Sequence, residues 1–87
     1  MKYTVEFSRP ATREFRKLPL QIQHRLELRI EKLSREPRPR DSKKMAGSQD
    51  RYRVREGDFR IIYEVQDRIL LIIVVRVGHR RDVYRKM

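Results

Sequence analysis

The sequence predicts an α+β fold, a small antiparallel sheet with a helical hairpin packed on one face, in the order β-α-α-β-β-β-α. Three observations carry this. Two stretches with helical spacing of apolar residues follow one another around Pro19. Two alternating stretches flank a Glu-Gly-Asp turn at residues 56–58. A run of seven apolar residues, most of them β-branched, extends from Ile69 to Val75. Amphipathic helices joined at a proline expose an apolar stripe that a sheet can cover. At 87 residues the chain is read as one domain, residues 1–87, near the lower size limit for a core that is stable alone.

Taken in order, Tyr3-Thr4-Val5-Glu6-Phe7 alternates Tyr, Val and Phe on one side, the period of a strand. Ser8 is placed to cap a helix that carries Pro10 in its first turn and Ala11, Phe15 and Leu18 on one stripe. Pro19 ends that helix and opens the next, whose stripe is Ile22, Leu26, Ile30 and Leu33, and Pro37 stops it. Residues 37–50 have no periodicity and read as a long loop, a length at which loops are often functional. Tyr52-Arg53-Val54-Arg55 and Phe59 to Val65 then form a β-hairpin. A two-residue turn would set Arg60 across from Arg53 or Arg55 and gather guanidiniums on one surface, whereas a three-residue loop would scatter them. Asp67-Arg68 turns into the apolar run, expected to be a strand buried on both faces. A short helix is expected from about Arg81 to Lys86.

The charge is strongly one-sided: 23 Lys+Arg against 12 Asp+Glu, a formal net charge of +11. Seventeen of the basic residues are arginines, the side chain suited to bidentate phosphate contact and to stacking on bases. Both halves of the chain share the excess, so the whole surface, rather than a basic tail, faces a polyanionic partner. Cysteine is absent, which removes disulfides and thiolate metal sites. No apolar segment reaches the ~20 residues of a membrane span, and the N-terminus lacks a signal-peptide core. The expectation is a cytoplasmic protein with no membrane partner.

After Gly78 come His79, Arg80, Arg81, Asp82 and Tyr84, a dense polar group delivered to the sheet edge by the apolar run. Together with Arg53, Arg55 and Arg60 it forms the candidate RNA-handling site. Lys43, Lys44, Arg51 and Arg81 are candidate RNA-binding residues on charge alone. His24, on a charged helix face, reads as an ordinary surface residue, and Tyr63 and Phe15 read as core.

Phe15-Arg16-Lys17-Leu18-Pro19, the Tyr52–Arg55 and Phe59–Val65 hairpin, and Val77-Gly78-His79-Arg80-Arg81-Asp82-Val83-Tyr84 occur in an order and spacing that resembles the RelE/ParE superfamily of type II toxin–antitoxin toxins. The last two pieces resemble its RelE branch. The resemblance implies a RelE-like fold and a ribosome-dependent endonuclease that cuts mRNA in the A site without metal or other cofactor. In that chemistry the RNA 2′-hydroxyl attacks the adjacent phosphate. The resemblance also implies an acidic antitoxin as partner, with operator DNA reached only through the toxin–antitoxin complex. Arg60 and Arg80 match arginines that stabilise the scissile phosphate, and Tyr84 matches a tyrosine that orients the substrate.

Arg53 and Arg55 fall where the best-known members carry lysines. An arginine is neutral in roughly 10⁻⁵ or less of molecules at pH 7, so it clamps phosphate well and accepts a proton poorly. The general base then lies elsewhere. His79 is the first candidate, as an imidazole titrates near neutral pH, and its other reading is a cap on the strand end or a contact to ribosomal RNA. Glu56 is a weaker candidate. Two functions from other classes share the fold: a ParE-like poison of DNA gyrase that cleaves no RNA, and a non-catalytic basic RNA-binding module. The arginine set with Tyr84 favours the endonuclease.

Overall fold

A computed structural model describes residues 2–83 of the chain, Asp82 and Val83 through their backbone only. The elements are β1 (Thr4–Phe7), α1 (Arg9–Arg16), α2 (Leu20–Arg35), β2 (Lys43–Lys44), β3 (Arg51–Glu56), β4 (Phe59–Gln66), β5 (Leu71–His79) and α3 (Arg80–Val83). The strands form one sheet in the order β1-β5-β4-β3-β2. No helix of the described residues is long and apolar enough to cross a membrane.

Each helix begins and ends where its residues dictate. The Ser8 hydroxyl accepts the Ala11 N–H at 3.1 Å, the N-cap bond expected of that residue, and donates to the Val75 carbonyl at 2.8 Å. One residue thus caps α1 and ties it to β5. On α2, Leu26, Ile30 and Leu33 are buried and Ile22 half-buried, so the predicted stripe is the packed face. It meets Val54, Ile61, Tyr63, Val65, Ile72, Val74 and Val77 from the sheet, with Ala11 from α1. Burying a Leu or Ile side chain contributes about 1.5–3 kcal/mol, so this layer is the main source of stability.

Five features depart from the sequence reading. The sheet is mixed rather than antiparallel, because β1 pairs parallel with β5, Val5 opposite Ile72. Tight turns enforce antiparallel pairing along β3–β4–β5, whereas the long path from β1 through both helices leaves the direction free. A fifth strand, β2, lies in the segment read as an irregular loop, with Lys43 opposite Arg53 and Lys44 opposite Tyr52. Two residues are too few to show a period. The apolar run is not all strand: Asp67–Ile69 form a 3-10 turn, Leu70 takes a left-handed φ of 52°, and Ile69 is exposed. Nor is β5 buried on both faces, since Leu71, Ile73 and Val75 are half-exposed where the described residues place no second layer. Finally, α3 begins at Arg80, one residue earlier than expected, and the remainder of that expected helix lies outside the described residues.

Candidate active site

The site depends on a bulge in β5. Tyr63 pairs with Val74 but Ile62 pairs with Arg76, leaving Val75 without a partner on β4. Side chains alternate along a strand, so one extra residue exchanges the faces of everything beyond it. Continuing the alternation from Ile72 and Val74 would bury Arg76 and Gly78 under the helices. The bulge instead sends Val77 into the core, sets Arg76 opposite Ile62, and brings Gly78 opposite Arg60.

The hairpin brings the arginines to the same place. Gly57 and Asp58 form the two-residue turn, Gly57 with φ +60° as the first position of a II′ turn requires. A side chain there would also lie 2.8 Å from the Arg25 guanidinium. This turn sets Arg55 opposite Arg60 and Arg53 opposite Ile62. Lys43 on β2 stands opposite Arg53. Arg53, Arg55, Arg60 and Lys43 line one pocket of about 160 Å³, together with Asp41. Arg55 is exposed, while Arg60 is partly covered, its Nη1 atom buried. The pocket is smaller than the ~300 Å³ or more of a usual small-molecule cleft and suits a phosphodiester held by forked donors.

Other predicted residues are placed differently. His79 is opposite Phe59, and its ring meets the Phe59 ring edge-on at 5.8 Å, on the face that the helices cover. Its Nδ1 accepts the Arg81 N–H at 3.2 Å, so the imidazole caps the first turn of α3. A neutral imidazole with Nδ1 accepting carries its proton on Nε2 and offers a donor there. Arg80 leaves the strand two residues beyond the row of Arg55, Arg60 and Gly78, anchored by its N–H to the Asp58 carbonyl at 2.9 Å, and its side chain is exposed. Arg81 is exposed as well. Lys44 alternates away from Lys43 and falls outside the pocket lining, and Arg51 pairs with Glu64 at 3.5 Å toward the other end of the sheet. Glu56 pairs with Arg25 at 3.4 Å on the helix side. Tyr84 lies outside the described residues.

Sequence reasoning missed Asp41. It sits in a turn with no periodic signal, and only its neighbours fix it. The Tyr63 hydroxyl donates to the Pro37 carbonyl at 2.6 Å, and burial pushes that phenol up to about 12. Arg38 reaches Asp67 at 2.8 Å and the Tyr52 hydroxyl at 2.9 Å, and its guanidinium lies over the Tyr52 ring. Ser42 donates to the Pro39 carbonyl at 2.7 Å. Arg29 of α2, largely covered, then holds the Asp41 carboxylate at the pocket. A larger hollow of about 580 Å³ lies beside Arg38 and Asp67, whose charges are spent on each other.

A parallel-edged mixed sheet with helices on one face, and an arginine-lined pocket on the other, defines a small α+β protein. The sequence matches the family described as ParE toxin of type II toxin–antitoxin system, parDE, over residues 5–84. It is 35% identical to Toxin RelG of Mycobacterium tuberculosis, covering 99% of this chain and all of that protein. It is 30% identical to the mRNA interferase toxin RelE of Escherichia coli, covering 97% of this chain and 92% of that protein. The fold matches the toxin–antitoxin complex RelBE2 of Mycobacterium tuberculosis with a TM-score of 0.79 and 33% identity, over 92% of this chain and 100% of that one. It matches the isolated Escherichia coli RelE toxin with a TM-score of 0.80 and 27% identity, over 97% and 93% of the two chains. The chain therefore belongs to the RelE/ParE superfamily of type II toxin–antitoxin toxins, on its RelE branch.

Proposed function

We propose that this RelE-like toxin is a ribosome-dependent endoribonuclease that cleaves mRNA in the A site and so inhibits translation, without a metal ion. The observation that carries this reading is the convergence of Arg53, Arg55 and Arg60 with Lys43 on one small pocket of the open sheet face. In-line attack by a 2′-hydroxyl concentrates negative charge on the non-bridging phosphate oxygens. Fixed guanidiniums aimed at that charge lower the barrier without reorganising. Arg60 is the central donor, Arg55 and Arg53 flank it, and Arg80, at the start of α3, closes over the phosphate from the strand end. Tyr84 follows Arg80 and orients the substrate sugar or base. Lys44, Arg51 and Arg81 contribute long-range attraction to the RNA backbone, which is salt-dependent and not sequence-specific. His79 supports α3 and does not act in proton transfer.

The cytoplasm is where such a toxin meets its substrate and its restraint. Several solved relatives are toxin–antitoxin complexes, among them the archaeal RelE–RelB complex of Pyrococcus horikoshii and the intact RelBE complex of Escherichia coli. By that likeness a cognate acidic antitoxin covers the +11 surface of this chain, and operator DNA is bound through the antitoxin. Primer extension on an mRNA in a reconstituted translation system, with and without ribosomes, tests the function. Cuts in phase with the reading frame that require ribosomes are expected. An inactive toxin that instead blocks DNA gyrase would replace this reading with the gyrase poison, and RNA binding without cuts would replace it with a passive module.

A further inference from the structure

We infer that Asp41 is the group that takes the proton from the attacking 2′-hydroxyl. The inference rests on the endoribonuclease reading and names a residue for a step that the arginines cannot perform. Among the described residues, Asp41 is the one carboxylate that lines the pocket of Arg53, Arg55 and Arg60. The two acids on strands β3 and β4 are paired elsewhere, Glu56 with Arg25 and Glu64 with Arg51. His79 stands on the covered face with Nδ1 already used.

A carboxylate in a phosphate pocket weakens ground-state binding of RNA, because it repels the anion that the arginines attract. Such a group is retained at a cost to affinity, and proton transfer is a use that repays that cost in rate. Its position is also prepared in advance. Arg29 grips the carboxylate from α2, and the turn that carries it is pinned at Pro37, by the Tyr63 hydroxyl, and at Ser42. Lys43 lines the same pocket, but an ammonium group has only donors, whereas a carboxylate has only acceptors.

In the step, the 2′-oxygen forms its bond to phosphorus as its proton passes to a carboxylate oxygen of Asp41. The bond from phosphorus to the 5′-oxygen breaks, and that oxygen leaves with the electron pair and takes a proton from water. The products are a 2′,3′-cyclic phosphate and a 5′-hydroxyl, and Asp41 returns its proton to solvent.

The experiment is single-turnover cleavage of mRNA on programmed ribosomes by the full-length toxin, with toxin titrated to saturation. For Asp41→Asn the saturated rate is expected to fall about 10²–10³-fold. The half-saturating concentration should be unchanged or lower, as a negative charge has been removed. For Asp41→Ala, added formate should restore part of the rate, which no structural role predicts. An Asp41→Asn rate within a few-fold of wild type overturns the inference while leaving the endoribonuclease reading intact. So does a loss that appears only in affinity, or an Asp41→Ala variant that formate does not rescue. Wild-type toxin that never cuts overturns both.

Discussion

Arg55 stands directly opposite Arg60 across the β3–β4 ladder. Two like charges in that relationship destabilise a sheet. The same placement brings two guanidiniums to one pocket. Replacing Arg55 with Thr, a good strand residue, should therefore raise the midpoint of urea unfolding while lowering the single-turnover cleavage rate. A variant that becomes both less stable and less active would show instead that the pair is held together by the fold rather than against it.

Glu14 closes the edge of β5 where β1 stops. It accepts the Val77 N–H at 3.1 Å and Arg76 Nε at 2.9 Å, and both side chains of the ion pair are less than one-fifth exposed. The pairing raises the Arg76 guanidinium above its ordinary range. Glu14→Ala leaves a covered cation and a strand N–H without this acceptor, a loss of about 2–3 kcal/mol, somewhat below the figure for a fully buried pair. Lys2→Ala removes a well-exposed bridge to Glu31 and should cost far less. Equal losses in urea unfolding would contradict this assignment of Glu14.

Tyr63 couples the core to the loop that carries Asp41. Burial raises its phenol from 10.0 to about 12. A group raised in this way contributes stability that is complete below its unfolded value and is lost as pH rises through its folded value. Wild type should therefore lose stability between about pH 10 and 12 by an increment absent from Tyr63→Phe. At pH 7 the same substitution should cost about 1–2 kcal/mol, from the lost bond to the Pro37 carbonyl. Circular dichroism melts across that range for both proteins give the comparison.

At the other end of the sheet, Arg38, and then the Tyr3 hydroxyl, hold the Asp67 carboxylate below its ordinary range. A depressed carboxylate contributes stability above its unfolded value near 4, lost as pH falls through its folded value. Wild type should lose more stability than Asp67→Asn when acidified from about pH 5 to 2. Because the Arg38–Asp67 pair is exposed, the difference should shrink in high salt, and a salt-independent difference would point to a buried origin.

The legible parts of the sequence were those with a period or a stop signal. Ser8, Pro10 and the Leu26–Ile30–Leu33 stripe each specify local geometry by their own chemistry, whereas the Glu56-Gly57-Asp58 stretch marked a hairpin turn but left its register open until the Glu56–Phe59 pairing fixed it. The bulge at Val75 was invisible because one extra apolar residue inside Ile72–Val77 leaves the composition unchanged. That single insertion decides which face His79 and Arg76 occupy, and so it separates His79 from a pocket that its neighbours in sequence suggested. Asp41 escaped for another reason. Its position is set by Arg29, Tyr63 and Arg38, which lie 12, 22 and 3 residues away in a chain where no local pattern links them. Packing, rather than periodicity, fixed the proton-handling side of the site.

Cleavage chemistry at the arginine pocket is tested by comparing wild type with Arg60→Ala on ribosomes stalled at one codon, with the chemical ends of the fragments determined. Wild type should leave a 2′,3′-cyclic phosphate and a 5′-hydroxyl, and a folded Arg60→Ala should cut at a rate at least about 10²-fold lower. Fragments with a 3′-hydroxyl and a 5′-phosphate, or an Arg60→Ala toxin that cuts as fast as wild type, would contradict this chemistry.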